Sequence, residues 1–386
     1  MPHADVIVIG SGAMGAAAAA ALAGRGAAVL ALDRFGVPHD RGSSHGATRL
    51  IRRAYFEHPD YVPLLHEAYR GWRDLEAASG TRLLVPCGLL LGGLPGSEAV
   101  AGALHAAALH RLDVERLPAV EAAARWPEIR LDDDWIAVWE PGAGYLLVEE
   151  CIRAFAALAR RRGARLEAGV TVQAWRAGPD GVAVETDRGT FHADRLVITP
   201  GAWAEHLVRL PRIPFRVLRK SLFWYRPPPA AAAAFSAGRL PCFAFDTPAG
   251  FHYGFPALDA DGVKIAEHSG GATVADPLSV DRGLDAAEEA GVAAVARARL
   301  PRLGHDLVRH AACLYTMTPD AHFVIGLHPD APRVAVAAGF SGHGFKFASA
   351  VGPILADLAL EGRSHAPIGF LAPGRFDAAA DRRPCG

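Results

Sequence analysis

Four groups of residues in this chain carry side chains or backbone freedom that chemistry can use. The first is Gly10, Gly12 and Gly15, placed between a β-branched run (Val6 to Ile9) and an alanine-rich stretch of helical character from Met14 to Leu22. Strand, glycine turn and helix in that order suit a dinucleotide pyrophosphate: Gly10 permits the tight turn, Gly12 lets backbone approach the phosphates, and Gly15 lets helix and strand pack closely. Ala13 and Met14 open the helix, whose N-terminus offers free N–H groups and the positive end of its dipole to an anion. Asp33, followed by Arg34, closes the next strand, where a carboxylate accepts from a ribose hydroxyl. NAD and FAD both sit on such a unit, so the motif leaves the choice open.

The second group is cationic: Ser43, Ser44, His45, Thr48, Arg49, Arg52 and Arg53 within one polar, glycine-containing stretch. Taken alone it reads as a solvated basic loop. The third is Lys264 in Val263-Lys-Ile-Ala, an apolar strand in which an ammonium is costly unless paired or put to work; the plainer reading puts it on the exposed face of an alternating strand. The fourth lies toward the C-terminus, with the lone Cys313 and then Gly342-His-Gly344-Phe345-Lys346. A lone free cysteine is most simply a small buried apolar residue.

The elements that position these groups follow from periodicity. Residues 61–78 put Leu64, Leu65, Ala68, Trp72 and Leu75 on one helical face. Helices are expected near 97–112, 148–162 and 285–297, and a last one up to about Leu360. Strands are expected at 87–92, 165–174, 182–186, 189–193, 242–245, 250–255, 262–267, 323–326 and 333–338. The apolar strand after Arg195 runs into Gly201, which suggests a second edge contact with the cofactor. Residues 227–235 read as an exposed linker.

With 386 residues, 51% hydrophobic and 21% charged, the chain suits two globular domains with a sizeable core. A formal net charge of −1 gives no pull toward nucleic acid or anionic membrane. No uninterrupted apolar run reaches about 18 residues, which argues against a membrane span. The N-terminal apolar stretch lacks a preceding basic region and carries the glycine motif, so it is a strand rather than a signal peptide. The cysteines (Cys87, Cys151, Cys242, Cys313 and Cys385) are scattered without a CxxC pair. That suits reduced cytoplasmic thiols better than a disulfide framework or zinc site. The 17 histidines show no HExxH spacing, and no metal is expected.

Six ordered blocks together resemble the monomeric sarcosine oxidase and N-methyl amino acid oxidase family, FAD-dependent enzymes of the D-amino-acid-oxidase-like class. The resemblance spans nearly the whole chain. Besides the glycine motif, it is carried by Ser43-Ser-His45-Gly-Ala-Thr48-Arg49-Leu-Ile-Arg52, Tyr253-Gly-Phe-Pro256 and Lys264-Ile-Ala-Glu-His268. The C-terminal carriers are Cys313-Leu-Tyr315-Thr-Met-Thr-Pro-Asp320 with His322-Phe-Val-Ile-Gly, and Ala338-Gly-Phe-Ser-Gly342-His-Gly-Phe-Lys346-Phe. It implies an α/β fold with a discontinuous Rossmann-like FAD-binding domain (1–80, 145–215 and 320–386). An α+β substrate domain with a mainly antiparallel sheet (81–144 and 216–319) would stand beside it.

The resemblance also implies roles. Cys313 would hold the flavin covalently through its 8α-methyl, with His45, Arg49 and Arg52 lowering the thiol pKa. Lys264 would sit near flavin N5 and assist electron transfer to dioxygen. Arg52 and Lys346 would clamp the substrate carboxylate, leaving Arg53 as a surface charge. His268, Tyr253 and Tyr315 would line the amine side, and Gly342, His343 and Gly344 would approach the flavin ring, His343 being as readily structural as catalytic. The implied reaction is oxidation of a small secondary or primary amino acid to an imine with release of hydrogen peroxide, by a cytoplasmic monomer. Divergence of substrate is expected at the wall around Pro241–Phe245. The alternatives are a flavin dehydrogenase passing electrons to a carrier, a pipecolate-type imino acid oxidase, a nicotinamide dehydrogenase and a non-catalytic nucleotide-binding module.

Overall fold

The computed structural model describes residues 3–210 and 212–376. Cys385 and the end of the expected third segment of the FAD-binding domain lie outside the described residues. The strand Ala4–Ile9 is the axis of an eight-stranded sheet. It pairs in parallel with Val29–Asp33 on one side and Gly189–Ile198 on the other. Arg165–Ala168 and Ala331–Ala338 extend the parallel part outward. Parallel strands are covered on both faces, which accounts for Val6, Ile7, Val8 and Ile9 all being buried.

Helices Ala13–Gly24, Val148–Arg161 and Ala348–Glu361 share one core on one face of this sheet. The alanine run of the first helix has a packing cause: it lies against both of the others, and side chains of one carbon let the axes close. Gly15 is the tightest point. A Cβ there would stand 1.7 Å from the Gly10 carbonyl oxygen and 2.6 Å from Thr199 Oγ1.

The second sheet has nine strands and is antiparallel apart from the pairing of Leu89–Gly93 with Cys242–Thr247. Its longest ladder joins Arg216–Arg226 to Asp306–Met317, placing Cys313 opposite Lys220 and Tyr315 opposite Leu218. A three-stranded sheet of Thr48–Ile51, Gly144–Leu147 and Leu84–Pro86 presents the cationic stretch.

Three expectations need correction. The strand expected over 165–174 is two strands, Arg165–Ala168 and Val172–Gly178, interrupted at Gly169 (φ +69°). The stretch 227–235 is not wholly exposed, because Phe235 anchors it in the core of the second sheet. The third concerns the wall at 241–245. Strand alternation turns Phe243 and Phe245 into that same core, while Cys242 and Ala244 face the opposite side with Tyr253 and Phe255. The phenylalanines therefore do not line the substrate side.

Candidate active site

A cavity of about 390 Å³ runs along the C-terminal end of the strand Ala4–Ile9. Its walls include Gly10, Gly12, Ala13, Met14, Asp33, Arg34, Ser43, Ser44, Gly201, Gly342, Gly344 and Phe345, so twelve of the residues read from sequence as cofactor-binding meet there. The Asp33 carboxylate is fixed: Oδ2 accepts from Ser11 N at 2.6 Å and Oδ1 from Phe35 N at 2.8 Å. Burial raises its pKa against these hydrogen bonds.

The residues present fit FAD. Apart from its own chain neighbours, no protein atom lies within 4 Å of where a Gly12 Cβ would be, so the backbone there is open to a ligand. Ser11 Oγ, Trp203 Nε1 and Thr316 Oγ1 are buried without a partner, and all three residues line the cavity. Sequence reasoning missed Ser11, Thr316 and Trp203. Only Trp203, following the Gly201 turn, carried a signal.

A second cavity of about 50 Å³ shares Arg49, Tyr315, Gly342 and Phe345 with the first. Arg52, Glu57, Tyr253, His268, His343 and Lys346 complete its polar lining. His343, expected at the flavin ring, borders this smaller space and not the larger one, as does Lys346, which was expected at the substrate carboxylate as well as the cofactor.

Arg52 Nη2 donates to both Glu57 carboxylate oxygens at 2.7 Å, and its Nη1 donates to Ala54 O at 2.8 Å. Burial raises the Glu57 pKa, but Arg52 outweighs it, with His343 and Lys346, and brings it down to about 2. Lys346 Nζ donates to His343 O at 2.7 Å. Burial, then repulsion from Arg52, lowers its pKa to about 7.

His343 Nε2 faces Ala321 O at 2.9 Å, and Nδ1 faces the Tyr55 hydroxyl at 2.7 Å. A carbonyl only accepts, so Nε2 carries the proton and Nδ1 accepts from Tyr55. Burial keeps this ring neutral, with its pKa near 4. His268, 3.2 Å from the Tyr315 hydroxyl, is likewise lowered by burial, to about 3.

Beside Phe56 and Phe251 lies a small, mostly apolar pit bounded by Leu89, Leu91, Ala103, Val138 and Ala244, with Arg52 and Glu140 also in its lining. Glu57, Phe56 and Phe251 went unread in the sequence. A carboxylate inside a cationic run looks like ordinary surface charge, although its five-residue spacing from Arg52 was a signal.

Cys313 lines neither cavity. It sits behind the Ser43 and Arg49 wall, with Sγ 3.2 Å from Arg49 Nη2 and 3.5 Å from Ser43 O. Burial raises its pKa; Arg49, joined by His45 and Lys264, more than reverses this and brings it to about 6. Arg52 takes no part in that field, contrary to expectation, because Glu57 and Ala54 hold it elsewhere.

Lys264 also borders neither cavity. Its Nζ donates to Gly46 O (2.7 Å), Thr48 O (2.9 Å) and Thr48 Oγ1 (3.3 Å), and burial pushes its pKa well below the usual lysine value. Thr48 thus binds Lys264 instead of lining the cofactor cavity. Arg53 is not a plain surface charge; its guanidinium lies 3.6 Å from the Tyr69 ring centroid. Among the described residues no cluster of three or more His, Cys, Asp or Glu is arranged for a metal ion. No helix among them is long and apolar enough to cross a membrane.

A mixed sheet with a parallel centre and a glycine-turn cleft, beside a mainly antiparallel sheet and a small cationic pocket, is the architecture of a dinucleotide-dependent oxidoreductase. The family model described as FAD dependent oxidoreductase matches residues 5–358, and the chain belongs to that family, with the monomeric sarcosine and N-methyl amino acid oxidases as relatives. It is 41% identical over 382 residues to a monomeric sarcosine oxidase of Streptomyces avermitilis, covering 98% of this chain and 99% of that one. It is 37% identical over 364 residues to an N-methyl-L-tryptophan oxidase of Citrobacter koseri, covering 94% and 96%. Among solved structures, NikD, an unusual amino acid oxidase essential for nikkomycin biosynthesis, superposes with a TM-score of 0.85 at 28% identity, covering 97% of this chain and 98% of that one.

Proposed function

We propose that the protein oxidises a small secondary amino acid, N-methylated or cyclic, or a compact primary one, to the imine, with dioxygen as acceptor and hydrogen peroxide as product. The observation that carries this reading is the second cavity, whose lining combines the cations Arg49, Arg52 and Lys346 with the uncharged Tyr253, Tyr315 and His268, and which shares Arg49, Tyr315, Gly342 and Phe345 with the FAD cavity. FAD, when bound, would supply the two-electron acceptor and would be held by Gly10–Met14, Asp33, Arg34, Ser43, Ser44, Gly201, Gly342, Gly344 and Phe345.

Lys346 and Arg52 bind the substrate carboxylate, Arg52 through its planar fork. Glu57 already occupies that fork, so the incoming carboxylate must share or displace it. His268 stays neutral above pH 3; with Tyr253 and Tyr315 it orients the amine and cannot serve as its acid. Arg49, Arg52 and Lys346 around the pocket disfavour a protonated amine, and the neutral amine is the form that gives up a hydride equivalent. The mostly apolar pit beside Phe56 favours a compact apolar substituent pointing away from the cofactor.

Cys313, poised as thiolate, is assigned the covalent flavin link. Lys264, held by three oxygens of Gly46 and Thr48, is assigned stabilisation of negative charge developing on dioxygen. The division of the chain into the two domains read from sequence, and a cytoplasmic monomer, go with this reading; size-exclusion chromatography tests the monomer.

The decisive experiment mixes holoenzyme anaerobically with sarcosine, N-methyl-L-valine, L-pipecolate, L-proline and glycine, then admits air and assays peroxide. Bleaching that air reverses with peroxide release is expected. Bleaching that persists in air would instead favour a dehydrogenase, and no bleaching with any of the five would overturn the amino acid reading.

A further inference from the structure

Cys87 and Cys242 are 155 residues apart in sequence, yet their sulfurs lie 3.6 Å from each other. The topology makes them meet. Cys242 opens the strand Cys242–Thr247, Cys87 precedes the strand Leu89–Gly93, and the two strands run parallel with Cys242 opposite Leu89. Parallel pairing brings both strand starts to one end of the sheet, and Cys242 N donates to Gly88 O at 3.1 Å. The environments of the two thiols differ. Cys87 is half-exposed and Cys242 is fully buried. Hydrogen bonding from Cys242 lowers the Cys87 pKa, while burial pushes that of Cys242 well up.

A partly exposed thiol of lowered pKa, 3.6 Å from a buried thiol, is the arrangement of an attacking and a resolving cysteine. No third metal-ligating side chain joins them among the described residues, so a metal thiolate site is not supported.

We propose that Cys87 and Cys242 form a peroxide-reactive dithiol that closes to an intramolecular disulfide. The oxidant is hydrogen peroxide. The Cys87 thiolate attacks one peroxide oxygen and the O–O bond breaks. Cys87 becomes a sulfenic acid, and the departing hydroxide takes up a proton as water. The Cys242 sulfur then attacks the Cys87 sulfur, the S–O bond breaks, and a second water leaves with the Cys242 proton. Two thiols and one peroxide give one disulfide and two waters. The bond ties together the starts of the two strands on which Leu89, Leu91 and Ala244 line the apolar pit, so the modified edge belongs to the wall of the substrate side. Turnover under the proposed oxidase activity would deliver the oxidant locally, but the chemistry needs only added peroxide.

The test treats purified holoenzyme with hydrogen peroxide, quenches with catalase, blocks remaining thiols and maps peptides without reduction. The expected result is loss of two hydrogen atoms' mass and a linked pair of Cys87 and Cys242 peptides that dithiothreitol separates. Cys242→Ala is expected to stop at a Cys87 sulfenic acid trapped by dimedone, and Cys87→Ala to leave Cys242 unmodified at the same dose. Cys87 passing to the sulfinic acid in wild-type protein, a link from either thiol to Cys385, or both thiols remaining free while Cys313 or methionines oxidise would each overturn the proposal. Should a variant fail to fold, the wild-type map decides alone.

Discussion

At the scale of single residues, the site is governed by how buried charges are compensated. Cys313 and Lys346 show this with opposite signs. Burial disfavours the thiolate of Cys313, yet Arg49 and its neighbours bring the pKa to about 6. Flavin attachment, followed in apoprotein reconstituted with FAD and normalised to bound flavin, should therefore rise with pH around a midpoint near 6. Arg49→Met should move that midpoint upward, since the largest stabilising charge is gone; an unmoved midpoint would remove Arg49 from the role. Lys346 runs the other way. With its pKa lowered to about 7, it is cationic below that pH and neutral above. Affinity for a carboxylate without an amine, such as propionate, read from perturbation of the flavin spectrum, should weaken as pH rises through 7. Lys346→Met should abolish that dependence and weaken binding at pH 6 about tenfold, roughly 1.4 kcal/mol for one charge-assisted contact. The Arg52–Glu57 pair is the third case. Neither charge can be removed alone without leaving the other buried and uncompensated, a loss of about 3–5 kcal/mol in comparable pairs.

At the scale of elements, strand alternation and one glycine turn place these groups. In Asp306–Met317, Leu314 packs against Val217 and Ala202, while Cys313 and Tyr315 turn to the other face toward Arg49 and His268. The two glycines of the turn make separable demands. Gly15 is a packing position, with the Gly10 carbonyl 1.7 Å from any Cβ. Gly12 is a ligand position, with extended backbone (φ −65°, ψ −161°) and, apart from its chain neighbours, no protein atom near its Cβ. Gly15→Ala should destabilise the apoprotein by about 1–3 kcal/mol through overpacking, seen as a lowered thermal midpoint. Gly12→Ala should leave the apoprotein midpoint unchanged and weaken FAD binding in titration. Equal effects on both observables for both variants would refute the distinction.

At the scale of the molecule, the cofactor cavity lies between a sheet built from three separated stretches of chain (4–33, 165–198 and 324–338) and a sheet built from the stretches between them (89–140 and 216–317). The first was legible because a parallel strand must be apolar throughout and the glycine turn has one steric use; Val6–Ile9, Gly15 and Asp33 are placed as their types require. What could not be read was which side of the second sheet a residue takes and which distant residue it meets. Phe243 and Ala244 differ by one position and face opposite ways. Cys87 and Cys242 touch only through a strand pairing that no local pattern encodes. Glu57 was hidden because charge in a charged stretch carries no burial signal.

A cavity so placed also couples cofactor to stability, since residues of both sheets line it and a ligand that needs both binds only the folded chain. In Cys313→Ser, where the link cannot form, adding FAD at 100 times its Kd should stabilise the protein by about 2.7 kcal/mol. With an unfolding entropy of roughly 2.1 cal/mol/K per residue, a chain of this length should gain about 3 °C in Tm. Wild-type holoenzyme, under the proposed Cys313 link, should gain nothing from the same addition. A wild-type midpoint that climbs with added FAD would mean that Cys313 does not hold the flavin and that its depressed pKa serves something else.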